Sequence, residues 1–303
     1  MAERVTLPSR NYDSLKTYRY LRIGMVDAVL LLGISIGFEA LFAAHCLQTS
    51  ISAYYYTPVR AIFVGGLFTI GLALIVYKGE SPWEDALLTM AGMLIPLVAI
   101  IPTINVGECW SEIPKPLPVR ADGSLAPWVT ANISNNFYSL AAAAVLASIA
   151  SIRIRRKGPV GRQWHLADYA LALFIVLLLG GGTLASLFWS GFDTAAHAIA
   201  ALGFFVFLTL AVFAAAHNES KFRWGPRYKR LGISMLVGGA LLLGLGLVGP
   251  PFWPARLGPD YWVLVLEAYE IVLFGVYWGM QTKDKWGEAD APISSGYSEC
   301  EFT

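Results

Sequence analysis

TAAHAIAALGFFVFLTLAVFAAA, residues 194–216, runs for 23 residues with one ionisable side chain, His197. At a rise of about 1.5 Å per residue, a helix of that length covers roughly 35 Å and outspans a bilayer core of roughly 30 Å. Comparable runs lie on both sides of it. They are Ile23–Ala44, Val59–Tyr77, Ala86–Ile104, Phe137–Ile152, Tyr169–Trp189, Leu231–Val248 and Tyr261–Met280. The runs are continuous and lack the period-two alternation of barrel strands, so they read as helices. Of the 303 residues, 56% are apolar and 14% charged, against roughly 25% charged in soluble domains. Too little polar sequence remains to coat eight buried helices in water. The reading is an all-α integral membrane protein, an eight-helix transmembrane bundle.

Orientation follows from the basic residues. With the N-terminus inside, 18 of the 22 Lys and Arg fall on the cytoplasmic side, and only Arg60, Lys115, Arg120 and Arg256 fall outside. An odd helix count would spoil that division, so both termini are expected in the cytoplasm. The first apolar run has span length and no small-x-small cleavage site, so it reads as a span and not as a signal peptide. Three parts result: a polar, poorly ordered cytoplasmic segment, residues 1–22; a membrane domain, residues 23–280, with an outer loop over 105–136; and a disordered cytoplasmic tail, residues 281–303. Pro114, Pro116 and Pro118 favour an extended course in the outer loop, which also holds the Asn132-Ile-Ser134 glycosylation pattern. The net charge of +1, with basic residues spread along the chain, gives no sign of a nucleic-acid partner. The bilayer is the expected partner, and no cofactor is implied.

Cys46 and Cys109 both follow helices that end on the outer side, where they form either a disulfide or two free thiols. Gly65, Gly66, Gly180, Gly181, Gly182, Gly238 and Gly239 read as points of close helix approach. Pro96 and Pro102 imply a kinked third helix.

Ionisable residues inside spans are costly and mark sites by default. With the topology fixed, Glu39, Asp193, His197, Glu267 and Glu270 all fall in the outer half of the bilayer, with Arg60 at the surface above them. Asp193 and His197 are four residues apart, and Glu267 and Glu270 three, so each pair shares a helix face. Asp27 lies near the inner end of the first helix and snorkels. Tyr54, Tyr55 and Tyr56 fit either an interfacial aromatic belt or the mouth of an outer pocket. The outer charges admit three readings: separate interhelical hydrogen bonds, one ligand or proton site, or a metal site. Glu84 and Asp85 open the third helix, where acids favour the helix dipole, and are read as capping residues.

The blocks Ser50-Ile-Ser-Ala-Tyr-Tyr-Tyr-Thr-Pro58 with Arg60 and Phe63-Val-Gly65, Glu84-Asp-Ala-Leu-Leu-Thr-Met-Ala-Gly-Met93 with Pro102-Thr103, and Leu266-Glu-Ala-Tyr-Glu270 with Gln281-Thr282 carry a resemblance. Together they resemble a group of bacterial, largely actinobacterial, multi-pass membrane proteins. The group has Asn where this chain has Thr89, so no polar role carries over to that position. The resemblance implies a bacterial plasma-membrane location and brings no activity with it. The pattern His197-x-x-x-Ala201-x-x-Phe204 is also similar to the Frag/DRAM/Sfk-type six-span proteins.

The expected function is therefore binding or translocation of a small solute, ion or lipid head group through an outer-half polar pocket of Glu39, Arg60, Asp193, His197, Glu267, Glu270, Tyr54 and Tyr55. A membrane-embedded metal-dependent hydrolase is the competing reading, and a non-catalytic subunit or sensor of a membrane complex the third. The hydrolase needs several His ligands, yet His165 and His217 fall at the opposite membrane face from His197. No metal ligand is assigned, and an enzyme is disfavoured.

Overall fold

The computed structural model describes residues 9–104, 118–120, 124–156, 165–218, 224–248 and 261–286. Among them there is no β-strand, only an isolated bridge between Val119 and Leu125. The long helices are α1 (Ser9–Phe38), α2 (Arg60–Val76), α3 (Pro82–Ile100), α4 (Pro127–Arg156), α5 (Leu166–Val176), α6 (Gly182–Phe188), α7 (Phe192–Asn218), α8 (Gly225–Val248) and α9 (Trp262–Asp284). A π-helical turn, Leu177–Gly181, joins α5 to α6, and another, Glu39–Ala43, extends α1. Counting α5 and α6 as one rod, seven helices are long and apolar enough to cross a membrane, and the apolar α2, with 17 residues, is the eighth.

Successive rods alternate in direction. At one end of the bundle Tyr18 of α1 meets Tyr77 after α2, Tyr77 meets Trp278 of α9, and Tyr228 of α8 meets Tyr277 of α9. At the other end, the loop after α1 bonds the start of α9, and His197 near the start of α7 meets Ile101 after α3. Arg19 of α1 bonds the carbonyl of Trp286 just beyond α9, so both terminal helices reach the same end. The outer surface is apolar: Leu30, Leu31, Ile34, Leu146, Leu173, Leu241 and Val272 are all exposed. Such a coat suits a lipid surround far better than water. Asp27 stands exposed among these apolar side chains.

Several expected boundaries are corrected. Helix α1 begins at Ser9, not Ile23, because no Gly or Pro interrupts Arg10 to Ile23 and because Tyr18 and Arg19 pack on Tyr77 and Trp286. Helix α3 begins at Pro82, with the Ser81 hydroxyl accepting the Glu84 amide as an N-cap and proline at the first helical position. It stops at Ile100 because Pro102 biases Ile101 to the extended conformation it adopts, so Pro102 ends the helix rather than kinking it. Helix α4 takes ten residues from the expected outer loop. Residues 127–136 look polar, yet Val129, Ile133 and Phe137 recur at four-residue spacing and bury against Ile100, Ile101 and Phe192. Helix α9 runs on to Asp284, so the tail begins later than residue 281.

The seven glycines divide: a side chain at Gly182, Gly238 or Gly239 would meet Phe137, Tyr269 or Glu270, as close approach requires. Side chains added at Gly65, Gly66, Gly180 or Gly181 would meet nothing within 4 Å, so these are not packing points. The close backbone crossing is between Gly71 of α2 and Gly92 of α3, where a methyl on Gly92 would lie 2.7 Å from the Gly71 carbonyl oxygen.

Candidate functional site

The expected outer residues divide among five places. Glu267 on α9 is fixed by the chain after α1: its carboxylate accepts the Ile51 amide at 2.6 Å, the Ser52 amide at 3.4 Å and the Ser52 hydroxyl at 2.9 Å. It thereby caps the short 3-10 helix Ser52–Tyr56, helped by Leu264, whose amide donates to the Thr49 carbonyl at 2.9 Å. Glu39 is buried beside Tyr54. Burial pushes the Tyr54 phenol above its ordinary pKa, the Gln48 amide that donates to its oxygen at 3.4 Å pulls it back, and the charge of Glu39 raises it. Arg60 is exposed, donates to the Tyr55 hydroxyl at 2.7 Å and lies over that ring. Tyr54, Tyr55 and Tyr56 are all buried in the main core, so they form no interfacial belt, and the Tyr56 hydroxyl donates to the Thr103 carbonyl at 3.0 Å.

His197 is buried with Nδ1 2.5 Å from the Ile101 carbonyl oxygen, which marks Nδ1 as the protonated nitrogen. Asp193 is half-buried one turn earlier. Glu270 faces Gly239 in the α8–α9 seam. On α9, Glu267 meets the turn after α1 while Glu270 meets α8, so the two acids do not share one site. Among the described residues no group of three or more His, Cys, Asp or Glu is placed to hold a metal ion. Cys46 is disulfide-bonded, and its expected partner, Cys109, lies outside the described residues.

Sequence reasoning missed the opposite end. Glu84 is only 1% exposed. Its Oε2 accepts the Glu80 amide at 3.1 Å, a capping bond, and the Asn218 side chain of α7 at 3.3 Å. Its Oε1 accepts from the Tyr277 hydroxyl at 3.3 Å and the Gln281 amide at 3.5 Å, both on α9. One capping acid therefore ties three helices. Beside it the Tyr228 hydroxyl of α8 donates to Asp284 at 2.9 Å, and Lys285 pairs with Glu80. Arg22 of α1 lies over the Tyr77 ring. The signal available in the sequence was the recurrence of polar residues at the ends of two spans, Asn218 on α7 and Gln281 and Asp284 on α9.

Next to this hub opens a cavity of about 820 Å³, within the range of roughly 300–1,000 Å³ typical of ligand sites. It runs along α3 from Asp85 to Ile101, roughly 24 Å at helical rise. The opposite wall is α4 and the α5–α6 rod. Helix α4 presents a stripe of Ala141, Ala144, Ala147, Ser148 and Ser151, small residues that leave the space unfilled. The π turn at Leu177–Gly181 borders the same space, and such turns often sit at functional sites. Polar groups gather at one end only. Lys78 and Asp85 form an ion pair at 3.1 Å there, with Asp168, Ser148 and Ser151 nearby. The far end is lined by Phe137, Trp189 and Phe192, with the Phe137 and Phe192 rings 5.1 Å apart.

A helical bundle with seven helices of membrane-crossing length and one long, one-ended amphipathic cavity is the class that these features define. The chain matches no protein-family model, no curated protein and no solved structure.

Proposed function

We propose that this chain is a multi-pass protein of a bacterial plasma membrane, with both termini cytoplasmic, that binds one amphipathic bilayer lipid in the cavity between α3, α4, α5–α6 and α7. The observation that carries the reading is the polarity of that cavity: apolar along its length and charged at one mouth. A lipid has the same layout, with its chain along α3 and its head group at the Lys78–Asp85 pair. Glu267 and His197 then serve to hold elements together, and the ligand reading moves from the outer pocket to this cavity. The basic flanks, which put 18 of 22 Lys and Arg on one side, support that orientation, in which the charged mouth faces the cytoplasmic leaflet.

Two measurements test it. Protein purified in mild detergent is expected to retain about one lipid per chain by native mass spectrometry, following from the ligand-sized cavity along α3. The double variant Ala144→Trp/Ser148→Trp, which fills the cavity from α4, is expected to lose at least about tenfold of it, the order of 1.4 kcal/mol. Leu146→Trp, on the exposed face of α4, should keep its lipid. Equal lipid content in all three proteins overturns the reading. For orientation, a cysteine introduced at Lys229 should resist a membrane-impermeant maleimide in intact cells while one at Arg120 reacts. Labelling at position 229 reverses the topology.

A further inference from the structure

Glu267 and Glu270 lie one turn apart on α9, yet only Glu267 is bonded. Glu270 is 4% exposed, and its Oε2 has no hydrogen-bond partner. No described cation pairs with it. It sits eight residues into α9, roughly 12 Å along the helix and well inside a span. Its position is built and not accidental. A methyl on Gly239 of α8 would lie 2.5 Å from Glu270 Oε1, so the carboxyl occupies the notch that glycine leaves open. The titratable neighbours in that seam are already engaged: Tyr269 donates to the Ser234 carbonyl at 2.8 Å and contacts its hydroxyl at 2.7 Å, and Glu267 caps the Ser52–Tyr56 turn.

A bare, unpaired carboxylate in such a place costs several kcal/mol. A side chain kept only for packing would be leucine or glutamine, which fill the same notch without that cost. We propose that Glu270 is an intramembrane proton-binding site, a carboxylic acid in the α8–α9 seam whose proton exchanges with water. The site stands apart from the lipid cavity, which Glu270 does not line, so either proposal survives the failure of the other.

Infrared difference spectroscopy of the purified full-length protein in lipid tests it directly. The wild type is expected to show the carbonyl stretch of a protonated carboxyl, and that band should shift on transfer to D2O. Glu270→Gln, close in size, should abolish the band, while Glu267→Gln should leave it in place. Gly239→Ala, which crowds the acid out of its notch, should move the band without removing it. A spectrum unchanged by Glu270→Gln overturns the proposal, because the acid is then not the proton carrier. So does a band that never responds to D2O, since a proton locked in place serves no exchange. Circular dichroism of each variant ensures that a lost band is not a lost fold.

Discussion

Replacing Glu84 with leucine is expected to lower the stability of the folded bundle by about 4 kcal/mol, enough to deplete most of the protein during expression. Leucine fits the space but leaves the Glu80 amide, Asn218, Tyr277 and Gln281 without their acceptor. Each buried donor so stranded costs about 1–3 kcal/mol, and part is recovered because Gln281 already donates to the Tyr277 hydroxyl at 3.1 Å. Glutamine keeps one acceptor oxygen and is expected to cost about 1–2 kcal/mol. Thermal unfolding in one detergent, with wild type alongside, reads both. A leucine variant as stable as wild type would mean that the hub is incidental to the assembly of α3, α7 and α9.

The number and type of the helices were legible because an apolar run of span length admits few other structures. Their ends were not. Hydropathy stops counting at Asn132, Ser134 and Asn136, although Val129, Ile133 and Phe137 carry the helix face on through them. Asx and Ser residues on the outer face of α4 simply do not have to be apolar. Spacing rules told which face of α9 bears Glu267 and Glu270, and that holds. They say nothing of what lies opposite, and the partners turned out to be backbone amides at Ile51 and Ser52 in one case and a glycine in the other. A partner that is backbone leaves no mark in sequence. Glu84 shows the same limit from the other side: its capping role was readable locally, whereas Tyr277 and Gln281 lie nearly two hundred residues away. The cavity was hidden for a further reason. Runs of Ala and Gly normally signal close helix contact, and here the alanines of α4 line a gap.

That contrast gives Gly92 its importance. Replacing Gly92 with valine is expected to cost about 3 kcal/mol or more, at the upper end of overpacking effects. Even the Cβ would lie 2.7 Å from the Gly71 carbonyl oxygen and 2.9 Å from both Leu74 Cβ and Ile75 Cγ1. The first contact is with backbone, which cannot rotate away as a side-chain tip can. Relief requires moving α2 off α3. The Tyr56–Thr103 bond pins the pair at one end, and at the other α2 is held to α9 by Tyr77 packed on Trp278. Valine at Gly71 meets the same crossing from the opposite side, 2.9 Å from the Gly92 carbonyl oxygen, so it should be similarly harmful. Because the two sites share one contact, the double variant should cost less than the two single costs added. Valine at Gly66, five residues earlier on α2 with open space around it, should stay within roughly 0.5 kcal/mol of wild type. If Gly66→Val and Gly92→Val unfold at the same temperature, the backbone crossing is not what sets the spacing of α2 and α3, and the cavity wall that α3 forms is free to move.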